Sequence, residues 1–263
     1  MGEPSFFAVP QLIIERLDVA WGFLLLLTRY TAFMMFAPGL GGGLAGFLVR
    51  YPAAVILALV SVRPDQAMPL PPDMAIMAAQ AASEMLLGTV VALIPLTIVA
   101  GAQTAGHLAS GTMGLNAAQL IDPTTQAALP DLARIYSDFA IVVFLLVGGH
   151  YVAISELAGL NDAIRPGTFI VSSTGLDAFV TQTARIFQIG CLLAAPVIVA
   201  LLLTNFVMGI ISKAVPTINI FIISFPLTIG VGLVISILAL PEVMHFLGRE
   251  FTRLADVLAV VIR

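Results

Sequence analysis

Charge is missing from two long stretches of the chain. No Asp, Glu, Lys or Arg stands between Glu84 and Asp122, and Lys213 alone interrupts the stretch from Arg185 to Glu242. Uncharged apolar runs of this length read as helices that cross lipid, each needing about 20 residues. Breaks at Pro, Gly and charge divide the pattern into about six segments: 19–37, 47–62, a long one opening at Met74, 135–157, 186–211 and 218–240. Asp73 stands where an N-cap belongs for the third. Residues 161–183 read as a polar loop. The turn 212–216 joins the last two segments into a helical hairpin. From Glu242 on, Val243, Phe246, Leu247, Phe251, Leu254 and Leu258 recur at helical spacing among charges. This predicts an amphipathic tail, at an interface or against a partner.

The third segment departs from an ordinary span. Its uncharged part, 85–121, is too long for one crossing at about 1.5 Å per residue, and Pro95 is placed to kink it. Beyond Pro95, small residues recur every fourth position: Gly101, Ala105 and Ala109, with Ala102, Gly106, Ser110 and Gly114 beside them. That spacing lays them on one helix face, where another helix can approach closely. Gln103, Thr104, His107, Asn116 and Gln119 share the region. Lipid does not accommodate so many polar groups, so this half faces protein or a water-filled cavity. Residues 111–130, with Asp122 as their one charge, read as a loop or broken helix rich in Gly, Ala, Thr and Gln.

Composition sharpens the class. Of 263 residues 60% are hydrophobic and 10% charged, where a soluble domain carries about 25% charge. A soluble enzyme, a nucleic-acid binder and a disordered chain are excluded on that ground, and the acidic balance offers no patch for nucleic acid or anionic lipid. Cys191 is the single cysteine, which leaves no intrachain disulfide. No basic stretch precedes the first apolar run, so no cleaved leader is expected. Lys and Arg in the loops favour both ends in the cytoplasm, with Arg16, Arg63, Arg165, Arg185, Arg249, Arg253 and Arg263 inside and Arg50, Arg134 and Lys213 outside.

Candidate chemistry is sparse. There is no HExxH, no Walker A, no GxSxG in context and no paired His/Cys spacing. His107, His150 and His245 fall in different segments, so no catalytic residue, metal site or cofactor is expected. Glu84, Asp138 and Glu156 lie in or near apolar segments, where a carboxylate reads either as a proton-relay group or as half of an ion pair. Arg134, one turn before Asp138, is a ready partner. For Glu84 the candidate partner is Arg29, deep in the first segment. Pro95, Pro196 and Pro226 break helices in a way that suits a transporter's binding site or a packed assembly. The run Gly39–Gly43 lacks a P-loop lysine and reads as a flexible turn. Met113, in a Gly-rich apolar setting, could seal a pore or simply pack.

An ordered set of motifs resembles the FliR/SctT proteins of type III secretion export gates. Gly111-Thr-Met-Gly-Leu-Asn-Ala-Ala-Gln-Leu-Ile-Asp-Pro123 looks like the family's MGL…DP region. Leu129-Pro130, Leu132-Ala-Arg134 and Gly149-His150 follow at family-like spacing. Val215-Pro216, Asn219-Ile-Phe221 and Ser224-Phe225-Pro226-Leu227 are similar to its last hairpin. Thr228 stands where that family usually has a basic residue.

The resemblance implies an all-α membrane-associated fold of long bent helices and helical hairpins. It implies one export-gate domain: a FliP-like part over 19–183, a FliQ-like hairpin over 184–241 and a cytoplasmic tail over 242–263. It implies a non-enzymatic subunit, flagellar rather than injectisome. FliP-like and FliQ-like subunits, an FlhB-like export protein, lipid and unfolded secretion substrates would be its partners. The setting would be the bacterial inner membrane within the flagellar basal body, part of it raised toward the periplasm.

The plug of such a gate would fall within 106–130, with Gly111, Met113, Gly114, Leu115, Asn116, Asp122 and Pro123 as its residues. Gly101, Ala105, Gly106, Ala109 and Ser110 would pack helices. Pro216, Asn219, Phe221, Phe225 and Pro226 would shape the hairpin turn and its kink. The rival reading is a secondary transporter with a small-molecule site at its broken helices. It would call for an inverted repeat, which the two halves do not display.

Overall fold

A computed structural model describes residues 8–39, 43–63, 69–115, 132–159, 164–214 and 220–262, and every element among them is a helix. In chain order these are α1 (Ala8–Phe36), α2 (Gly43–Ser61), α3 (Met74–Met113), α4 (Leu132–Leu146), α5 (Gly149–Leu157), α6 (Ser173–Ala214), α7 (Ile220–Thr252) and α8 (Leu254–Ile262). Among the described residues four stretches are long and apolar enough to cross a membrane, or five if α4 and α5 make one broken span. The expected count was about six. The second segment accounts for part of the shortfall, its apolar helix running only from Leu48 to Ser61.

Two compact units divide the chain. The first holds Met1–Leu96, Gly148–Val180 and Arg253–Arg263, the second Thr97–Val147 and Thr181–Thr252. The core of the first includes Leu25, Phe33, Leu87, Ile94, Leu157, Leu254 and Leu258. That of the second includes Met113, Phe144, Ile189, Leu201, Leu247 and Phe251.

Local chemistry explains where the helices start and stop. Asp73 caps α3, its Oδ1 accepting from the Ala75 N–H at 3.0 Å. Gly114, at φ 81°, ends that helix in the left-handed region that suits glycine. The segment expected over 135–157 is two helices, because Gly148 takes φ 77° between them.

The polar loop expected to reach residue 183 ends ten residues sooner, with α6 opening at Ser173. Ser172 is its cap: its hydroxyl accepts from the Gly175 N–H at 2.9 Å. The expected separate tail is also corrected, since α7 passes through Pro241 to Thr252. A proline inside a helix costs about 3 kcal/mol. Burial of Val243, Leu247 and Phe251 on one face, at four-residue spacing, offsets it. The tail's apolar stripe is therefore covered by its own chain. In the second unit Phe251 meets Phe144 at 5.3 Å between ring centroids. In the first, the backbone of Gly175 lies against the Val261 carbonyl, so that a Cβ there would come within 2.5 Å of it.

Candidate functional site

The residues expected at the gate and at the helix crossings fall in the second unit. Gly101, Ala105, Gly106, Ala109 and Ser110 share the buried face of α3, as their spacing requires. The approach is close. A Cβ on Gly101 would lie 2.7 Å from the Ile189 side chain, and one on Gly190 of α6 would lie 2.7 Å from that of Thr104. A Cβ on Gly106 would stand 2.4 Å from the Ala133 Cα, at the start of α4. Small residues thus let the chain's own helices cross nearly backbone to backbone. Ser110 satisfies its hydroxyl on the Gly106 carbonyl at 2.8 Å. The opposite face of α3 exposes Gln103, His107, Gly111 and Thr112.

The gate motif, read as a loop or broken helix, begins inside α3, with Gly111 and Met113 both helical. Met113 is buried, 1% exposed, and its side chain fills a notch over Gly232 of α7. Gly114 follows in its left-handed turn, and the Phe225 ring packs against it. Leu115 is half-buried. Thr228 donates its hydroxyl to the Met113 carbonyl at 3.1 Å. Pro226 lies in the same helix and Phe221 in its first turn. Asn116, Asp122, Pro123, Pro216 and Asn219 lie outside the described residues.

The candidate ion pair lies in the first unit. Arg29 donates through Nε to Glu84 Oε2, and the two side chains are 1% and 0% exposed. The remaining valences go to backbone. Arg29 Nη1 donates to the Leu157 carbonyl at 2.9 Å and Nη2 to that of Ile164 at 3.4 Å. Glu84 Oε1 accepts from the Gly167 N–H at 2.6 Å. Each side-chain nitrogen and oxygen of the pair has a partner, which goes toward meeting the condition for burying charge.

Gly88 makes the approach feasible, since a Cβ there would lie 2.1 Å from the Arg29 carbonyl oxygen. One turn before Glu84, Gln80 accepts from the Trp21 indole at 3.0 Å. The backbone partners were not foreseen, although Arg165-Pro166-Gly167-Thr168 carries a signal for one of them, the Gly167 donor. Pro followed by Gly at φ 80°, with Thr168 N–H on the Arg165 carbonyl at 3.2 Å, is a type II turn. That turn aims the Gly167 amide at Glu84.

The pair expected on α4 forms as well, but at the surface. Arg134 and Asp138 are 4.0 Å apart on the surface, 83% and 67% exposed. Among the described residues no three of His, Cys, Asp and Glu gather as metal ligands would. A second ion pair, between Arg185 and Glu250 at 2.7 Å, joins α6 to α7 in the second unit and was not foreseen. The two residues are 65 apart in sequence, and neither stands in an uncharged run.

Comparison with known proteins places the molecule. The model of the family described as bacterial export proteins, family 1, matches residues 20–254. The flagellar biosynthetic protein FliR of Escherichia coli is 31% identical over 182 residues, 69% of this chain and 70% of that one. FliR of Caulobacter vibrioides is 25% identical over 236 residues, 89% of this chain and 94% of its own. The Yop proteins translocation protein T of Yersinia pestis is 22% identical over 181 residues, covering 68% and 69%. With the ordered motifs, the long apolar helices and a family match over nearly its whole length, the chain belongs to the FliR/SctT family of bacterial export proteins.

Proposed function

We propose that this chain is a core, non-enzymatic subunit of the flagellar type III export gate. With FliP-like and FliQ-like subunits in the bacterial inner membrane it forms the channel through which unfolded substrates leave the cytoplasm. The family match over residues 20–254 carries this reading. The segment 111–123 acts as the plug of that channel. Its glycines permit backbone shapes barred to other residues, and its apolar, largely uncharged composition can exclude water without binding a passing peptide. The exposed polar stripe of Gln103 and His107 suits a wet wall leading to it. An FlhB-like protein is the expected cytoplasmic neighbour. Its docking cannot use the apolar stripe of the tail, which the chain itself buries.

The test is deletion of residues 115–119, which leaves the packed end of α3 untouched. The deleted chain, assembled with its partner subunits and placed in a planar bilayer, should conduct ions where the intact complex does not. An assembled deletion complex as tight as the intact one removes this segment from the gate.

A further inference from the structure

The contact between the end of α3 and α7 is built from reciprocal knobs and notches. Met113 of α3 sits over Gly232 of α7, where a Cβ would lie 2.6 Å from both Met113 Cγ and Cε. In return Phe225 of α7 sits over Gly114, where a Cβ would lie 2.9 Å from the ring. Phe225, Thr228 and Gly232 are three and four residues apart, so they share one face of α7. Each helix thus supplies one bulky side chain and one bare glycine to the other, and Thr228 lies between them.

The hydrogen bond at the centre is divided. Thr228 Oγ1 lies 3.1 Å from the Met113 carbonyl and also 3.1 Å from the carbonyl of Phe225, one turn back in its own helix. A hydroxyl has one proton, so the two acceptors share it. The Met113 carbonyl stands in the last turn of α3, where Thr228 reaches it as a donor. Thr228 satisfies it while the helices are together. If Met113 withdraws, the hydroxyl keeps its full bond to Phe225, and the freed carbonyl can turn to water. No buried polar group of α7 is stranded by separation, so the contact can open and close. Methionine suits this use, being unbranched and able to leave a notch by rotamer change alone.

We propose that Met113, Gly114, Phe225, Thr228 and Gly232 form a releasable latch that holds the root of the 111–123 segment on α7. Its part in gating rests on the reading of that segment as the plug. Opening begins when Met113 leaves the notch at Gly232. The threonine at 228 gives the latch a neutral, self-satisfied donor where a lysine or arginine would leave a charge to resolvate.

The test reads Met113 directly, by its rate of oxidation to the sulfoxide by hydrogen peroxide, measured by mass spectrometry on the assembled complex. Met208, 7% exposed in the same unit, is the internal reference. In the native complex Met113 should oxidise slowly. Thr228→Val should speed it about five- to tenfold, the effect of leaving the Met113 carbonyl without its Thr228 donor in the closed state, with Met208 unchanged. Gly232→Ala should speed it at least as much, and Met113→Ala should restore assembly if Gly232→Ala impairs it. Unchanged oxidation of Met113 in Thr228→Val overturns the latch, as does a parallel rise at Met208, which would mean general loosening. The plug reading fails separately. A tight 115–119 deletion complex with a responsive Met113 keeps the latch and loses the plug, and a leaky deletion complex with an unresponsive Met113 does the reverse.

Discussion

Helices of the first unit close on a fully buried ion pair as well as on bare glycines at Gly88 and Gly175, whereas those of the second close on glycines, and among the described residues each of its ion pairs reaches solvent on at least one side. Arg29 and Glu84 are buried, each side-chain nitrogen and oxygen bonded to the other residue or to the backbone at Leu157, Ile164 and Gly167. In the second unit the close contacts are Gly101 on Ile189, Gly190 on Thr104, Gly106 on Ala133 and Gly232 on Met113. The two devices fail differently. A buried pair repays its desolvation only while complete, so removing one partner strands the other. A glycine crossing has no polar group to strand, but it tolerates no added atom where the neighbour is backbone. Directional bonds specify one arrangement. Apolar notches allow side chains to leave and return, which is what the Met113 contact requires.

The largest effect should come from the first device. Glu84→Gln leaves the Arg29 guanidinium buried without its counter-charge and should cost about 3–5 kcal/mol. The thermal unfolding midpoint of the purified protein should fall accordingly. Replacing both residues by Met should recover only part of the loss, since the charge goes but the Leu157 and Ile164 carbonyls and the Gly167 N–H lose these partners. The comparison breaks if Glu84→Gln unfolds like the parent. The Arg185–Glu250 pair of the second unit does not blur it, because Arg185 is 30% exposed and water can take over part of its solvation.

How much of this was legible in the sequence follows from the same chemistry. Arg29 and Glu84 stood out because a charge in an apolar segment demands an explanation. The stripe from Gly101 to Ser110 stood out because small residues at four-residue spacing make one face. What the pattern could not say was which surface lies on that face. It called for another helix without saying which, and Ile189 of α6 and Ala133 of α4 occupy it. The Leu157 and Ile164 carbonyls were invisible, because any residue carries a carbonyl. The start of α6 was missed because one serine cap, Ser172, was outweighed by the polar composition around it. The continuation of α7 through Pro241 was missed because the proline rule is local while burial of Val243, Leu247 and Phe251 is not.

A smaller effect should separate rigid from yielding crossings in the second unit. At Gly106 a Cβ would meet the Ala133 Cα at 2.4 Å, and backbone cannot step aside without moving α4. Gly106→Ala should therefore destabilise by about 1–3 kcal/mol. Gly209, within α6, has nothing within 4 Å of its Cβ position. Gly209→Ala should stabilise by about 0.5–1 kcal/mol, through helix propensity alone. Paired unfolding curves check both, and equal responses would mean that close approach is not what the small-residue face provides.

The smallest effect should come from the exposed pair on α4, where charge is present but not buried. Arg134 and Asp138 are 4.0 Å apart and mostly exposed. Such a pair contributes about 0–1 kcal/mol in water. Two features lower it further. Arg134 precedes Asp138 by four residues, the weaker order for a helical pair. It also stands in the first turn of α4, at the positive end of the helix, where a cation is disfavoured. Arg134→Ala should accordingly change stability by less than about 0.5 kcal/mol, and 0.5 M salt should not enlarge the difference. The result also reports on surroundings. Water screens a pair at this distance, and lipid or packed protein would not. A loss as large as that expected for Glu84→Gln would place this face of α4 out of water in the purified protein, and the contrast between a buried and a solvated pair would no longer separate the two units.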